Sequence, residues 1–271
     1  MSAHSDPSDR SEVPIRDAAT VVLLRDRPVE VAADDAHRSS VQAWMLTRVT
    51  QMAFAAGMSV FPGGRVDSSD AELPIAGDIG AVAARFDCDE RLARALVGAA
   101  VRETFEETGV LLTRPTADLS ESRADVENGR VGFDELVRGH ELTIDADLLK
   151  PWARWITPAG ETRRYDTRFF VGALPHGAEP ENLTTESSAA EWLGVGDAIE
   201  QAQRGERKLL PPTIATLASL LEFDNVDAAL AAAQQRVIEP VRPTIRIAAD
   251  GDVIAELPDG TSVTLPRTMF S

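Results

Sequence analysis

The strongest constraint on this chain is one short run, Arg102-Glu103-Thr104-Phe105-Glu106-Glu107-Thr108-Gly109-Val110. At roughly 100° per helical residue, Glu103, Glu106 and Glu107 fall within an arc of about 100°. Val97, Val101 and Phe105 occupy a separate arc about 80° wide, so an apolar stripe can be buried while the acids face a cleft. Carboxylates at i, i+3 and i+4 repel, at roughly 0.2–0.5 kcal/mol a pair in an isolated helix. The negative end of the helix dipole adds to that cost. Such an arc invites a cation, and oxygen-only donors select a hard divalent ion, Mg²⁺ or Mn²⁺, over zinc. Taken alone, the run serves equally well as a solvated acidic face.

The upstream residues shift that balance. Met58-Ser59-Val60 followed by Phe61-Pro62-Gly63-Gly64 reads as a strand ending in a glycine turn. Glycines at such a turn let the backbone approach an ion or a phosphate closely. Asp67 and Asp70 add carboxylates just beyond it.

Together these residues resemble the Nudix hydrolase box, G-x5-E-x7-R-E-U-x-E-E-x-G-U with U a bulky apolar residue. Gly64 stands at the first glycine, and Arg102, Glu103, Glu106, Glu107, Gly109 and Val110 fill the second half. Thr104 departs from the apolar position and Asp70 takes the place of the first glutamate. Between Asp70 and Arg102 lie 31 residues where the pattern has 7, an insertion of 24. The branch of peroxisomal coenzyme A diphosphatases and their bacterial relatives has such an interrupted box. The chain is similar to it from about residue 18 to residue 220: Arg48, the stretch Phe54 to Asp67, Trp155-Ile156-Thr157-Pro158, Arg164 to Phe170, Glu186, Trp192 and Leu210-Pro211-Pro212-Thr213.

The resemblance implies an α/β/α sandwich with a mixed β-sheet, decorated by inserted loops and a C-terminal extension. It implies hydrolysis of a nucleoside diphosphate linked to another group X, with Mg²⁺ or Mn²⁺ as cofactor. Such hydrolysis needs neutralised phosphates, an oriented water and a base within reach of it. Glu103 and Glu107 are the expected metal ligands, Glu106 a third ligand or the base, and Gly63 a carbonyl donor. Glu103, Glu106 and Glu186, in that order, are candidates for the base. Arg102 is expected to orient a box carboxylate, with Asp70 as its partner if the inserted segment returns it to the box. Arg48, Gly64, Arg164 and Arg168 are the candidates for substrate binding, since guanidinium groups recognise phosphate bidentately. Phe61, Trp155 and Phe170 read as core rather than as base-stacking residues.

The coenzyme A signature upstream of the box is partial. Arg48, Gly57 and Phe61 to Gly64 match, while its second arginine falls at Ala53. Coenzyme A or an acyl-CoA therefore ranks first, followed by ADP-ribose, NADH and other dinucleotides. A nucleotide-sensing Nudix module that binds without hydrolysis is the reading from another class. Retention of all three helical carboxylates favours catalysis.

A formal charge of −17 argues against a nucleic-acid partner, which requires an electropositive footprint. It also makes unaided capture of a polyphosphate unfavourable, a conflict that divalent ions bridging anionic protein and anionic substrate would resolve. No stretch approaches 18 uninterrupted apolar residues, so no membrane span is expected. Cys88 is the only cysteine, which suits a reducing cytoplasm. The C-terminus is not a peroxisomal signal, so a cytoplasmic location is expected.

Residues 1–14 read as a disordered tail, 15–238 as the Nudix domain and 239–271 as an extension. Expected strands cover Ala18–Leu24, Val41–Arg48, Met58–Phe61, Val110–Thr113, Trp152–Thr157, Arg168–Leu174 and Glu191–Leu193. Asp89 is expected to cap a helix from Glu90 to Thr108, with Gly109 as its stop. Further helices are expected over Val195–Arg204, Pro211–Phe223 and Val226–Val237. Residues 71–90 read as a surface excursion. Residues 114–148 read as an acidic insertion, helical around Phe133–Arg138, that serves as a lid, a specificity loop or a solvated decoration. Thr244–Leu257 reads as a β-hairpin, and the extension as a candidate homodimer contact.

Overall fold

The computed structural model describes residues 13–28, 40–49, 57–181 and 187–265. Strand β1 (Ile15–Asp26) organises it. Val21 and Leu23 point into one hydrophobic cluster and Val22 and Leu24 into another, so the strand is apolar on both faces and central to the sheet. β2 (Val41–Arg48) pairs antiparallel with β1 only through Leu24–Asp26 and Val41–Ala43. Beyond that point the two strands part. β3 (Ser59–Val60) fills the gap along β2, and β4 (Gly63–Arg65) fills it along β1, with Ala19 opposite Gly64. The link between them crosses from one strand to the other, and Val21 N–H donates to the Pro62 carbonyl at 2.8 Å. The glycine corner is thus built into the sheet.

The first insertion is not a surface excursion. A 3₁₀ turn (Asp70–Glu72) leads through β5 (Ile75–Ala76) to helix α1 (Ile79–Phe86). Ile79, Val82, Ala83 and Phe86 recur at i, i+3, i+4 and i+7 and are buried. Phe86 meets Phe170 of the sheet edge-on at 5.1 Å between centroids, a burial worth about 2–3 kcal/mol. Helix α2 (Glu90–Thr108) follows with the expected bounds.

Only Thr113–Arg114 form a strand (β6) where Val110–Thr113 was expected; Val110, Leu111 and Leu112 are buried without a ladder partner. The second insertion contains α3 (Arg123–Glu127), α4 (Phe133–Gly139) and β7 (Thr143–Asp145), the last lying between β5 and β6 in a small separate sheet. Its Val126, Phe133, Leu136 and Val137 join the same cluster as α1 and α2, so this segment too is packed rather than decorative.

β8 (Lys150–Ile156) and β9 (Arg164–Ala173) pair antiparallel, and β9 runs parallel to β1 over ten positions. β10 (Ser187–Gly194) returns to the far edge of β2 and leads into α5 (Val195–Gln203). α6 (Pro211–Ala218) and α7 (Val226–Ala233) end some residues earlier than their sequence patterns suggest. These three helices cover the second face, packing on Val22, Leu24, Met45, Trp152 and Val171. With β11 (Pro240–Val241) beside β8, the sheet order is β10-β2-β1-β9-β8-β11, mixed in direction and clad on both faces. That is the expected α/β/α sandwich. The extension forms β12 (Thr244–Ile247), β13 (Val253–Glu256) and β14 (Ser262–Leu265), a three-stranded meander in place of the expected hairpin. No helix among the described residues is long and apolar enough to cross a membrane.

Candidate active site

Local chemistry fixes both ends of α2. The Asp89 carboxylate accepts the Leu92 N–H at 2.7 Å, and Gly109 closes the helix in the left-handed region with φ 75°. Val97, Val101 and Phe105 are fully buried, which turns the acidic arc toward the glycine corner. Thr104, at the apolar box position, is also fully buried; its hydroxyl donates to the Ala100 carbonyl at 2.7 Å, which satisfies the polar atom within the helix.

The corner and the helix touch directly. Gly63 N–H donates to Glu107 Oε2 at 2.9 Å. A Cβ on Gly64 would stand 2.5 Å from the Glu103 carboxylate, and one on Gly63 would stand 2.5 Å from the Ala19 carbonyl oxygen. No other residue fits at either position without displacing what it faces.

Arg102 holds the cluster together. Its Nε and Nη2 donate to the two oxygens of Asp70 at 2.8 and 3.0 Å, and its Nη1 donates to Glu103 at 2.7 Å. Glu106 lies 3.5 Å from the same Nη1, and Nη2 also donates to the Arg65 carbonyl at 3.0 Å. Asp70, 1 % exposed, is therefore returned to the box despite the insertion. The methylene that aspartate lacks is made up by the backbone: the Asp70 turn sits on α2 at Gly98, where any Cβ would overlap the Asp70 carbonyl.

The charges do not balance. Asp70, Glu103 and Glu106 lie against a single guanidinium, and Glu107 accepts the Gly63 N–H beside them. Burial pushes the Glu106 carboxyl up to about 7; Arg102 opposes that shift, and the charges of Glu103 and Asp70 reinforce it. For Arg102, burial alone would lower the pKa, but the Asp70 hydrogen bond and the neighbouring carboxylates raise it above the ordinary arginine value. Among the described residues no three acidic, His or Cys side chains converge as a ready cation cage, because Arg102 stands between Asp70, Glu103 and Glu106. The all-oxygen donor set, its surplus of negative charge and the glycine cradle nonetheless fit a hard divalent ion.

The arginine candidates separate. Arg48 closes β2 and its N–H donates to the Met58 carbonyl at 3.0 Å, which puts it on the hairpin that leads to the glycine corner. Arg168 is 2 % exposed and donates to Asp17 at 2.5 Å while lying 3.2 Å from Asp166. Arg164 is buried at the start of β9 and donates to the Thr157 carbonyl at 3.3 Å. Sequence reasoning offered both as phosphate contacts. In the fold both are committed within the sheet, which leaves no open guanidinium face for a substrate. Phe61, Trp155 and Phe170 are buried, as core residues should be. Glu186 lies outside the described residues. A cleft of about 560 Å³ between the start of β1, the Arg65–Ser68 segment and the first turns of α2 is lined by Arg16, Asp17 and Arg91 among others, and by none of the box glutamates. The charge cluster, not this hollow, marks the site.

Sequence reasoning missed Gly98, whose place inside a helix was the available signal, and Arg123, for which no local signal existed.

Comparison with known proteins points to the same family as the box residues. The family model described as the NUDT19 Nudix domain matches residues 90–220. A putative nudix hydrolase 7 of Caenorhabditis elegans is 31% identical over 78% of the chain, which spans 62% of that relative's length. The acyl-coenzyme A diphosphatase NUDT19 of Gallus gallus is 28% identical, covering 87% of this chain and 76% of its own. Among solved structures, a NUDIX hydrolase from Alicyclobacillus acidocaldarius superposes with a TM-score of 0.65 at 31% identity, over 81% of this chain and 96% of that one.

Proposed function

This chain belongs to the Nudix hydrolase family, and from that premise we propose that it is a Mg²⁺- or Mn²⁺-dependent hydrolase cleaving the pyrophosphate of coenzyme A or an acyl-CoA. The observation that supports this most is the crowding of Asp70, Glu103 and Glu106 around one guanidinium, with Glu107 beside them on the glycine corner. Glu103, Glu106 and Glu107, with the Gly63 carbonyl, would hold the ion. When bound, it supplies neutralisation of the diphosphate and lowers the pKa of a coordinated water.

The chain's own residues do the rest. Arg102, clamped by Asp70, fixes Glu103 in one orientation, so that the carboxylate does not have to be ordered when substrate arrives. The Gly63 N–H holds Glu107 against the corner in the same way. Glu106, with its pKa near neutrality, suits proton transfer from an attacking water; Glu103 and Glu186 are the other candidates for that role. Arg48 and the half-buried Gly64 are the substrate contacts in this reading. The diphosphatase name of the Gallus gallus relative and the partial coenzyme A signature support ranking coenzyme A ahead of ADP-ribose and NADH.

The test is a panel of coenzyme A, an acyl-CoA, ADP-ribose and NADH, each incubated with the chain and Mg²⁺ or Mn²⁺. Release of 3′,5′-ADP and a 4′-phosphopantetheine, fastest from the coenzyme A substrates, is expected. Faster turnover of ADP-ribose would reassign the substrate. A folded chain that binds these nucleotides but releases nothing from any of them would make it a sensing module.

A further inference from the structure

The last turn of α2 presents an electrostatic difficulty that the helix itself does not solve. It bears Glu106 and Glu107 at the negative end of the dipole and contains no basic residue. The second insertion supplies one. Arg123, on α3 and 8 % exposed, donates from Nη1 to the main-chain carbonyl of Glu106 at 3.2 Å. The same nitrogen donates to Glu127 at 2.7 Å, and Nε donates to Glu181 at 2.5 Å. Glu181 in turn donates its backbone N–H to the Thr108 carbonyl at 2.8 Å. Three separate parts of the chain therefore meet at the end of this helix, and Arg123 is the group common to them.

The rest of the insertion holds Arg123 there. Phe133 packs on Phe105 with centroids 5.7 Å apart, and Val126 and Val137 are buried in the same cluster. Phe105 lies on the side of α2 away from the acidic arc, so the insertion grips the helix from behind rather than covering the carboxylates. Burial disfavours the charge on Arg123, but its bonds to Glu181 and Glu127 outweigh that and keep it protonated.

We propose that Arg123 is a positioning residue for the hydrolase: it neutralises the end of the box helix and fixes the turn from Phe105 to Gly109, so that Glu106 and Glu107 face the glycine corner in one arrangement. It touches neither substrate nor ion. This inference rests on the proposed hydrolase reading, and it makes the second insertion a brace, not a lid.

The variants to compare are Arg123→Met, Arg123→Lys and Glu181→Gln, in the full chain. Residues that orient metal ligands from behind change metal affinity or activity by about 10–100-fold when replaced. Arg123→Met should lower kcat about 10-fold or more with KM changed less than about threefold, and should weaken Mn²⁺ affinity by a similar factor. Amide hydrogen exchange across Phe105–Gly109 should quicken. Arg123→Lys, which keeps the charge without the fork, should recover part of each effect. If Arg123→Met does not fold, Glu181→Gln, altered at a more exposed side chain, should still show a kcat loss of about threefold and faster exchange in the same turn. An Arg123→Met or Glu181→Gln protein with wild-type kcat, Mn²⁺ affinity and exchange at Phe105–Gly109 overturns the proposal, whatever its melting temperature. A wild-type chain that hydrolyses nothing would instead sink the hydrolase reading; the Mn²⁺ and exchange measurements would still decide the role of Arg123.

Discussion

Two ionic clusters lie between the sheet and the α1–α2 layer, and they are built on opposite principles. Beneath α1, Arg154 and Arg168 answer Asp166 and Asp17: Arg154 binds Asp166 in a two-pronged pair at 3.0 and 2.8 Å, Arg168 bridges both acids, and Arg154 also donates to the Phe86 carbonyl at 3.1 Å. Two cations meet two anions. At the glycine corner Arg102 meets Asp70, Glu103 and Glu106. A neutral cluster is complete and can only hold the fold together. A cluster with surplus negative charge in a half-buried site costs stability as it stands, and a further cation relieves that cost. The difference distinguishes a structural pair from a working one without reference to position in the chain.

That contrast can be broken by experiment. The largest effect is expected for Glu103→Gln, which keeps the shape of the side chain and its hydrogen bond to Arg102 but removes charge. Turnover should fall about 10³-fold, while the melting temperature without divalent ion stays level or rises, because repulsion is relieved. A fall in both would mean that the corner, too, is structural. Asp166→Ala should do the reverse. It removes the two-pronged partner of Arg154 and one of the two acids on buried Arg168, at a cost of about 3 kcal/mol in urea unfolding, with hydrolysis per folded molecule little altered. Asp67→Asn sharpens the boundary of the unbalanced cluster. Asp67 is half-exposed and 3.9 Å from Arg102, so its loss should change stability by less than about 0.5 kcal/mol and turnover by less than about twofold.

What the sequence made legible follows the range of the interactions. Asp89, the α2 span and Gly109 could be read because a cap and a stop act within three or four residues. β2 could be read because alternation fixes a face locally. The Asp70–Arg102 pair could be anticipated only as a condition, since it depends on Gly98 clearing room on the helix for a turn 28 residues earlier in the chain. Arg164 and Arg168 misled because an arginine destined for a phosphate and one destined for a partner within the sheet look alike until the fold brings Thr157 to Arg164 and Asp17 and Asp166 to Arg168. The apolar run Val110–Leu112 suggested a strand, yet burial without a ladder partner satisfies the same pattern. In α1 the helical spacing of Ile79, Val82, Ala83 and Phe86 is present in the sequence, yet residues interrupting a motif read as a surface excursion until their packing partner, Phe170, is known.

The seat of the Asp70 turn at Gly98 has a consequence for how such an interruption can arise. Once both ends of the inserted segment are pinned against one helix, its length enters the free energy only through chain entropy. Extending the spacing from 7 to 31 residues costs about 1.3 kcal/mol by logarithmic loop closure, less than a single Phe86 returns by leaving water. A motif held by contacts at its two anchors tolerates growth between them, so ancestry in this fold is recorded in what touches and not in how many residues intervene.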